Sequence, residues 1–437
     1  MRYWRHVSLS LCMGFFFPHS ALGLSGKLES LTEYFPQDLG SSTYDVAPRV
    51  GIELDQDGKP SKQLSYSFKG TFQSNLASKY QPENYFGDLK EAYGEWKPNR
   101  ALKVIVGWNT VNWGVMDLYS PMDVVNQRTY FDPLNTDKRG AGMINLQWNP
   151  SGWAFSALYI PAQAKAIFPS NDSRWLPRNT ITNVTTQNGT ALLTTPVTYD
   201  IEDPVTLNSA LNNNFGFSVE RRWDSLDLHA IYFDGATPTP SFTLDQTNAT
   251  VLVLPPNQVI QLNNPVVLHP LFFRTRTSGL GFSSTVGDVI VRGESVYQDS
   301  ITQPEKGYQL SSWTWQNGLG LEKNWEIGSY TLTQIVHYYY GVYPVSGDNL
   351  PSSGFRLFDN AGMVGLRFAI SDEKFFYGSV LYNVTQQGFF WIVGYQQKLT
   401  DALRWDISWR DISANNAGLL QTYNQNDHAV MDLTYFF

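Results

Sequence analysis

From about residue 27 onward the chain repeats one pattern, short windows in which apolar side chains alternate with small or polar ones. In 63–73, Leu64, Tyr66, Phe68, Gly70 and Phe72 oppose Gln63, Ser65, Ser67, Lys69, Thr71 and Gln73. In 403–410, Leu403, Trp405, Ile407 and Trp409 oppose Arg404, Asp406, Ser408 and Arg410. Successive side chains of a strand point to opposite faces, so each window predicts a β-strand with one apolar face. Eighteen windows carry the pattern, near 27–35, 46–54, 62–73, 86–96, 102–111, 140–148, 152–160, 213–222, 225–234, 274–284, 287–298, 310–322, 328–340, 360–370, 374–384, 388–399, 402–412 and 428–437. The windows at 27–35, 46–54 and 86–96 alternate least cleanly. Each is close to the roughly ten residues that cross a bilayer at a tilt.

The connections sort by length. Tight turns are expected at 55–61, 97–101, 149–151, 223–224, 286, 323–327, 371–373 and 400–401, whereas most of the others are long, notably 112–139, 161–212, 235–273 and 341–359. Short turns on one rim and long loops on the other are the asymmetry of a membrane barrel, and an even strand count puts both termini on the short-turn rim. A sandwich has no reason to sort its loops this way. The fold class predicted is therefore all-β, a transmembrane antiparallel β-barrel of about eighteen strands with short periplasmic turns and long extracellular loops. The short connection 385–387 breaks the rule, and sixteen strands is the count if a strand is misplaced there. Trp96, Trp148, Trp153, Trp223 and Trp325 lie at or beside the tight turns and form an expected inner girdle, with Tyr338, Tyr339, Tyr340 and Tyr343 in the outer one.

Composition narrows the class further. Of 437 residues, 15% are aromatic and only 16% charged, against the roughly 25% charged usual in globular proteins. Mean hydropathy is nonetheless −0.28. A bundle of membrane helices is excluded, because after residue 23 no apolar run approaches the roughly 18 residues one span needs. Disorder is excluded by the aromatics. Arg2, Arg5 and His6 precede an apolar stretch over 7–17, and Ala21-Leu22-Gly23 is a small-x-small cleavage site, so 1–23 read as a secretory signal peptide and 24–437 as the barrel. The single cysteine, Cys12, lies in that leader, which leaves the mature chain without disulfides or cysteine-ligated metal. Without Arg2 and Arg5 there remain 29 basic residues against 39 acidic, a poor balance for binding nucleic acid.

The final strand alternates Ala429, Met431, Leu433, Tyr435 and Phe437 with His428, Val430, Asp432, Thr434 and Phe436. An aromatic-rich last strand ending in phenylalanine resembles the signal by which bacterial outer-membrane proteins meet their assembly machinery. The stretch Val106-Gly107-Trp108-Asn109-Thr110-Val111-Asn112-Trp113-Gly114, followed by Ser120-Pro121-Met122-Asp123-Val124, resembles the W-G and P-x-D pattern of large proteobacterial porin-like proteins. The overall plan is similar to the eighteen-stranded substrate-selective and alginate-export porins. That resemblance implies a third loop, 112–139, folded inward to narrow the pore.

The chemistry of that loop is mixed. It carries Asp117, Asp123, Asp132 and Asp137 with Arg128, Lys138 and Arg139, and such opposed charges across a narrow passage would create a transverse field. Strand parity places Lys69, Arg274, Arg276, Arg292, Arg367, Arg404 and Arg410 in the lumen as cations. Glu220, Asp227, Glu294, Asp406 and Asp432 are the acidic counterparts, and His337 also points inward. No cofactor or metal motif occurs, and no nucleophile elbow or Walker loop. The function expected is a passive porin for small polar or charged solutes in the outer membrane of a Gram-negative bacterium, with no catalysis. Expected partners are outer-membrane lipid and lipopolysaccharide, the solute, and the barrel-assembly machinery at Phe437; porin analogy also permits a homo-oligomer. The alternatives are a non-conducting adhesin or recognition barrel that uses loops 161–212 and 235–273, and a barrel hydrolase built on His337 and Ser379.

Overall fold

The structure, a computed structural model, describes residues 24–39, 43–176, 183–186, 189–193, 199–207, 209–238, 241–244, 249–254, 257–262, 266–300, 313–342, 357–415 and 419–437. The expected leader, 1–23, and Tyr343 lie outside these residues. Eighteen antiparallel strands form one sheet. They are β1 (Leu24–Tyr34), β2 (Val46–Gly58), β3 (Leu64–Asn75), β4 (Phe86–Trp96), β5 (Leu102–Asn109), β6 (Ala141–Trp148), β7 (Trp153–Ala162), β8 (Asn212–Arg222), β9 (Leu226–Ala236) and β10 (Arg274–Val286). The circuit continues through β11 (Val289–Ser300), β12 (Trp313–Ile327), β13 (Tyr330–Val342), β14 (Asn360–Ser371), β15 (Lys374–Asn383), β16 (Gly388–Thr400), β17 (Leu403–Ala414) and β18 (His428–Phe436). The barrel closes where β1 pairs with β18, from Lys27 opposite Phe436 to Tyr34 opposite Ala429. Closure removes the exposed backbone edges that an open sheet would leave.

Residues 384–387 form a short turn on the long-loop rim, between β15 and β16, and no strand is miscounted there. The windows that alternated poorly are nonetheless strands. In β4 the cause is local: Lys69 pairs with Glu91 and Gly70 with Leu89, so Lys90 is an extra residue. Such a bulge re-aims side chains. It interrupts the period of two: Asp88 and Lys90 face the lumen before it, and after it Glu91 and Glu95 do, bonded to Ser67 and Ser65.

The exterior is apolar. Phe217, Leu280, Leu319, Val393 and Met431, in the strands' middle reaches, are each at least half exposed. In water every such side chain would forfeit about 1.5–3 kcal/mol of burial, and only acyl tails relieve that cost around the whole cylinder. Trp96, Trp148, Trp153, Trp223 and Trp325 are all exposed outward at the short-turn rim, as a girdle requires. Tyr338 and Tyr340 are exposed at the other end of β13, but Tyr339 is fully buried. Its place in the outer girdle is thus corrected, because adjacent strand residues cannot share a face.

Two charges also change sides. Leu280 is the most exposed large side chain of β10, and a Cβ on Gly279 or Gly281 would instead meet Met122 within the lumen. The even-numbered residues of β10 consequently face outward, and Arg274 and Arg276 sit on the outer face at the long-loop rim, where both pair with Asp234. Above the apolar belt the outer face is polar again, so charge no longer marks the inside. The belt itself is testable: Leu280→Arg should weaken folding into lipid vesicles by about 2–4 kcal/mol, measured by urea titration. The inward substitution Ser283→Arg on the same strand should change it far less.

Candidate functional site

Residues 110–140 leave the wall after β5 and return at β6, crossing the lumen between. The departure needs Gly107, whose φ of +135° and close approach to the Ala92 carbonyl (2.4 Å from a built Cβ) no other residue tolerates. The two stems are tied by Asn126, whose side-chain oxygen accepts from Val111 N at 2.7 Å and whose amide donates to the Arg139 carbonyl at 2.8 Å.

The tip reaches the opposite wall at β11 to β13. There the Glu294 carboxylate accepts hydrogen bonds from the backbone N–H groups of Val115, Met116 and Met122 and from the Ser120 hydroxyl. Tyr119 N donates to the Tyr339 hydroxyl at 3.3 Å, and the Tyr119 hydroxyl donates to Gln316 at 2.7 Å. Beneath the loop Val111, Trp113, Met122, Val124 and Val125 pack on Met143, Leu158, Ile160, Ile231, Phe233 and Val296 of the wall. An apolar underside thus glues the loop across a lumen that would otherwise hold water.

The loop's charges are struts. Asp117 pairs with Arg292 at 2.6 Å, and Arg292 also meets Glu322 at 2.8 Å. Asp123 is held between Arg128 and Lys138, the latter at 2.6 Å. Burial holds the Lys138 ammonium below the usual lysine range, against the pull of Asp123. Asp132 pairs with Arg410 on β17 at 2.9 Å, and Arg139 with Asp88 on β4 at 2.9 Å. Asp137 is mostly exposed and lies 3.6 Å from Lys90. The field expected from opposed free charges is largely cancelled by this pairing. Lumen-facing strand charges are paired as well: Lys69 meets Glu53 at 3.0 Å, and Asp406 accepts the Tyr377 hydroxyl at 2.6 Å. Arg367 lies over the Phe375 ring at 4.0 Å and Arg404 over Phe436 at 5.3 Å.

A second inward segment, 163–176, was not foreseen. It was expected to be part of an exposed loop, yet Arg174 and Trp175 are each 1% exposed. Arg174 donates to Asp45 at 3.0 Å and to the Gln425 carbonyl at 2.9 Å, with its guanidinium 4.6 Å above the Phe35 ring. The Tyr423 hydroxyl donates to the Trp175 carbonyl at 2.9 Å. The two inward segments are zipped together by Tyr130 N to Ile167 O at 2.7 Å and Ile167 N to Arg128 O at 3.1 Å. The long loops above them build small sheets, one joining 183–186, 189–193, 249–254 and 257–262. Within 163–176 the local signal of this burial is the Arg174-Trp175 pair, set in a long polar loop.

Two spaces remain. Between the β1 to β4 wall and Thr129 and Asp137 lies a cavity of about 80 Å³, lined by Lys27, Glu29, Glu53, Thr71, Gln73, Asp88 and Lys90. Toward the short-turn rim a vestibule of about 700 Å³ is lined by Asn145, Gln147, Ser156, Ser218, Glu220, Arg222 and His229. The hydrolase arrangement is not assembled. His337 is buried with Nδ1 2.9 Å from the Tyr339 hydroxyl, and it lies opposite Met363, itself opposite Leu381. Ser379 is therefore two strands away, a spacing of about 10 Å.

No protein-family model matches the chain, and neither does any curated protein. Among solved structures it is similar to OmpF of Salmonella typhi in complex with daunomycin (TM-score 0.44, 10% identity, 95% of this chain and 97% of that one). It is also similar to a mutant porin of Rhodopseudomonas blastica (TM-score 0.41, 10% identity, 95% and 100%). A further neighbour is Wzi of Escherichia coli, described as a carbohydrate-binding β-barrel involved in group 1 capsule assembly (TM-score 0.51, 11% identity, 95% and 85%). At these identities the likeness is one of fold alone, a large closed antiparallel β-barrel.

Proposed function

We propose that the chain is an outer-membrane porin through which small polar or charged solutes diffuse down their gradients. The observation that carries this reading is the loop 112–139 lying across the lumen, with a charged cavity of about 80 Å³ left between it and the β1 to β4 wall. A solute passing there exchanges part of its hydration for contacts with Lys27, Glu29, Lys90 and Asp137. Cations and carboxylates are interleaved along this wall, so selection acts mainly by size, with weak preference for either sign. The lipid-facing belt, the tryptophan girdle and the aromatic last strand support a place in the outer membrane of a Gram-negative bacterium. In that place lipid and lipopolysaccharide surround the barrel, residues 1–23 direct export and Phe437 engages the assembly machinery. In planar bilayers the reconstituted protein should give small, discrete conductance steps with a reversal potential near zero in a salt gradient. A protein that inserts yet never conducts would refute the reading.

The small sheets at the long-loop rim favour a second reading, a recognition barrel that binds a surface saccharide with the described strands within loops 161–212 and 235–273. The carbohydrate-binding description of the Wzi barrel is in keeping with it. Saccharide binding by a non-conducting barrel would select this reading, whereas conduction without such binding selects the porin.

A further inference from the structure

Glu294 is 4% exposed, and among the described residues no Lys, Arg or His forms an ion pair with it. Its charge is answered entirely by donors of the crossing loop. Oε1 accepts from Met116 N at 2.8 Å and from the Ser120 hydroxyl at 2.9 Å, and it also takes Val115 N. Oε2 accepts from Met122 N at 3.0 Å and from the same hydroxyl at 2.8 Å. Backbone N–H groups converging on one point make a concave anion-binding nest, and here the nest has folded around a carboxylate of the opposite wall. The surroundings are shaped for it. A Cβ on Gly114 would strike Ser120 Oγ at 2.1 Å, and one on Gly281 would come within 2.8 Å of Met122 Sδ. The Trp-Gly and Ser-Pro-Met-Asp stretches singled out in the sequence are the two arms of this nest.

We infer that Glu294 is the positioning residue that sets the width of the passage, its carboxylate serving as the template that holds residues 115–122 across the lumen. This rests on the porin reading. A carboxylate on the wall is needed because the nest presents only donors; without it, those N–H groups face an apolar underside and a hydroxyl, and the tip loses its reason to stay. An emptied nest remains a site for a small carboxylate of the same shape, such as formate or acetate.

The test compares the full-length barrel with Glu294→Ala and Glu294→Gln in planar bilayers, and follows chymotrypsin cleavage after Tyr119 by mass spectrometry. Glu294→Ala is expected to give a several-fold larger conductance and rapid cleavage, with acetate returning both toward the parent values. Glu294→Gln, which keeps one acceptor oxygen, should be intermediate and unresponsive to acetate. It also serves should the alanine variant fail to fold. Unchanged conductance in a conducting Glu294→Ala barrel, or cleavage that acetate does not slow, would overturn the assignment. If neither parent nor variant conducts, the porin reading falls, while cleavage and its reversal by acetate still decide whether Glu294 holds the loop.

Discussion

Trp175→Ala is expected to destabilise the folded barrel by about 3–5 kcal/mol, the largest loss from any single truncation in the lumen. The indole is 1% exposed, edge-on to Phe35 at 6.3 Å, to Tyr423 at 5.4 Å and to His428 at 5.5 Å. Phe35 directly follows β1, His428 opens β18 and Tyr423 lies in the connection that leads into β18, so the ring bridges the seam where the barrel closes. Its neighbours cannot collapse into the space, because Tyr423 is fixed by its bond to the Trp175 carbonyl and Arg174 by Asp45. Denaturant unfolding in detergent, followed by heat-modifiable mobility on gels, measures the effect. Trp223→Ala, on the exposed short-turn rim, is the control and should move the midpoint much less. Equal midpoints for the two variants would mean that segment 163–176 does not brace the seam.

Excising 111–139 should open the pore. Asn109 pairs directly with Ala141, so an Asn-Gly turn can join Thr110 to Gly140 without disturbing the wall. An eighteen-stranded cylinder freed of its crossing segment has room for an aqueous channel, and a several-fold rise in single-channel conductance is expected. The reversal potential should move little. The excision uncovers Asp88 and Glu294 as acids together with Lys90 and Arg410 as bases, the partners of Arg139, the nest, Asp137 and Asp132. The excision also removes Tyr130 and Phe131; Tyr130 stacks on Phe168 of the second segment at 5.5 Å. Conductance unchanged by the excision would locate the narrowest point in 163–176 instead.

The charges of the crossing loop show that residue type and loop membership do not fix what a side chain meets. Asp117, Asp123, Asp132 and Arg139 were expected to face a passage, and each is instead tied to a cation or carboxylate of the wall or of the loop itself. Composition alone cannot distinguish a free charge from a strut. Burial decides it, since an unpaired charge in the packed half of the lumen would be far costlier than a paired one.

What the sequence by itself determined is everything with a period of two. Strand number, the lipid-facing side of nearly every strand, the girdle at the short turns and the sorting of connections follow from alternation between adjacent residues, which is a local property. It failed where the local rule is broken or its meaning changes: at the Lys90 bulge, at Tyr339, and at Arg274 and Arg276 above the apolar belt. Only the tertiary structure decided how the lumen is filled. Glu294 meets Val115 across 179 positions and Arg174 meets Asn426 across 252. Contacts between a loop and a distant wall leave no periodic trace, because they depend on which residues the closing of the cylinder brings face to face.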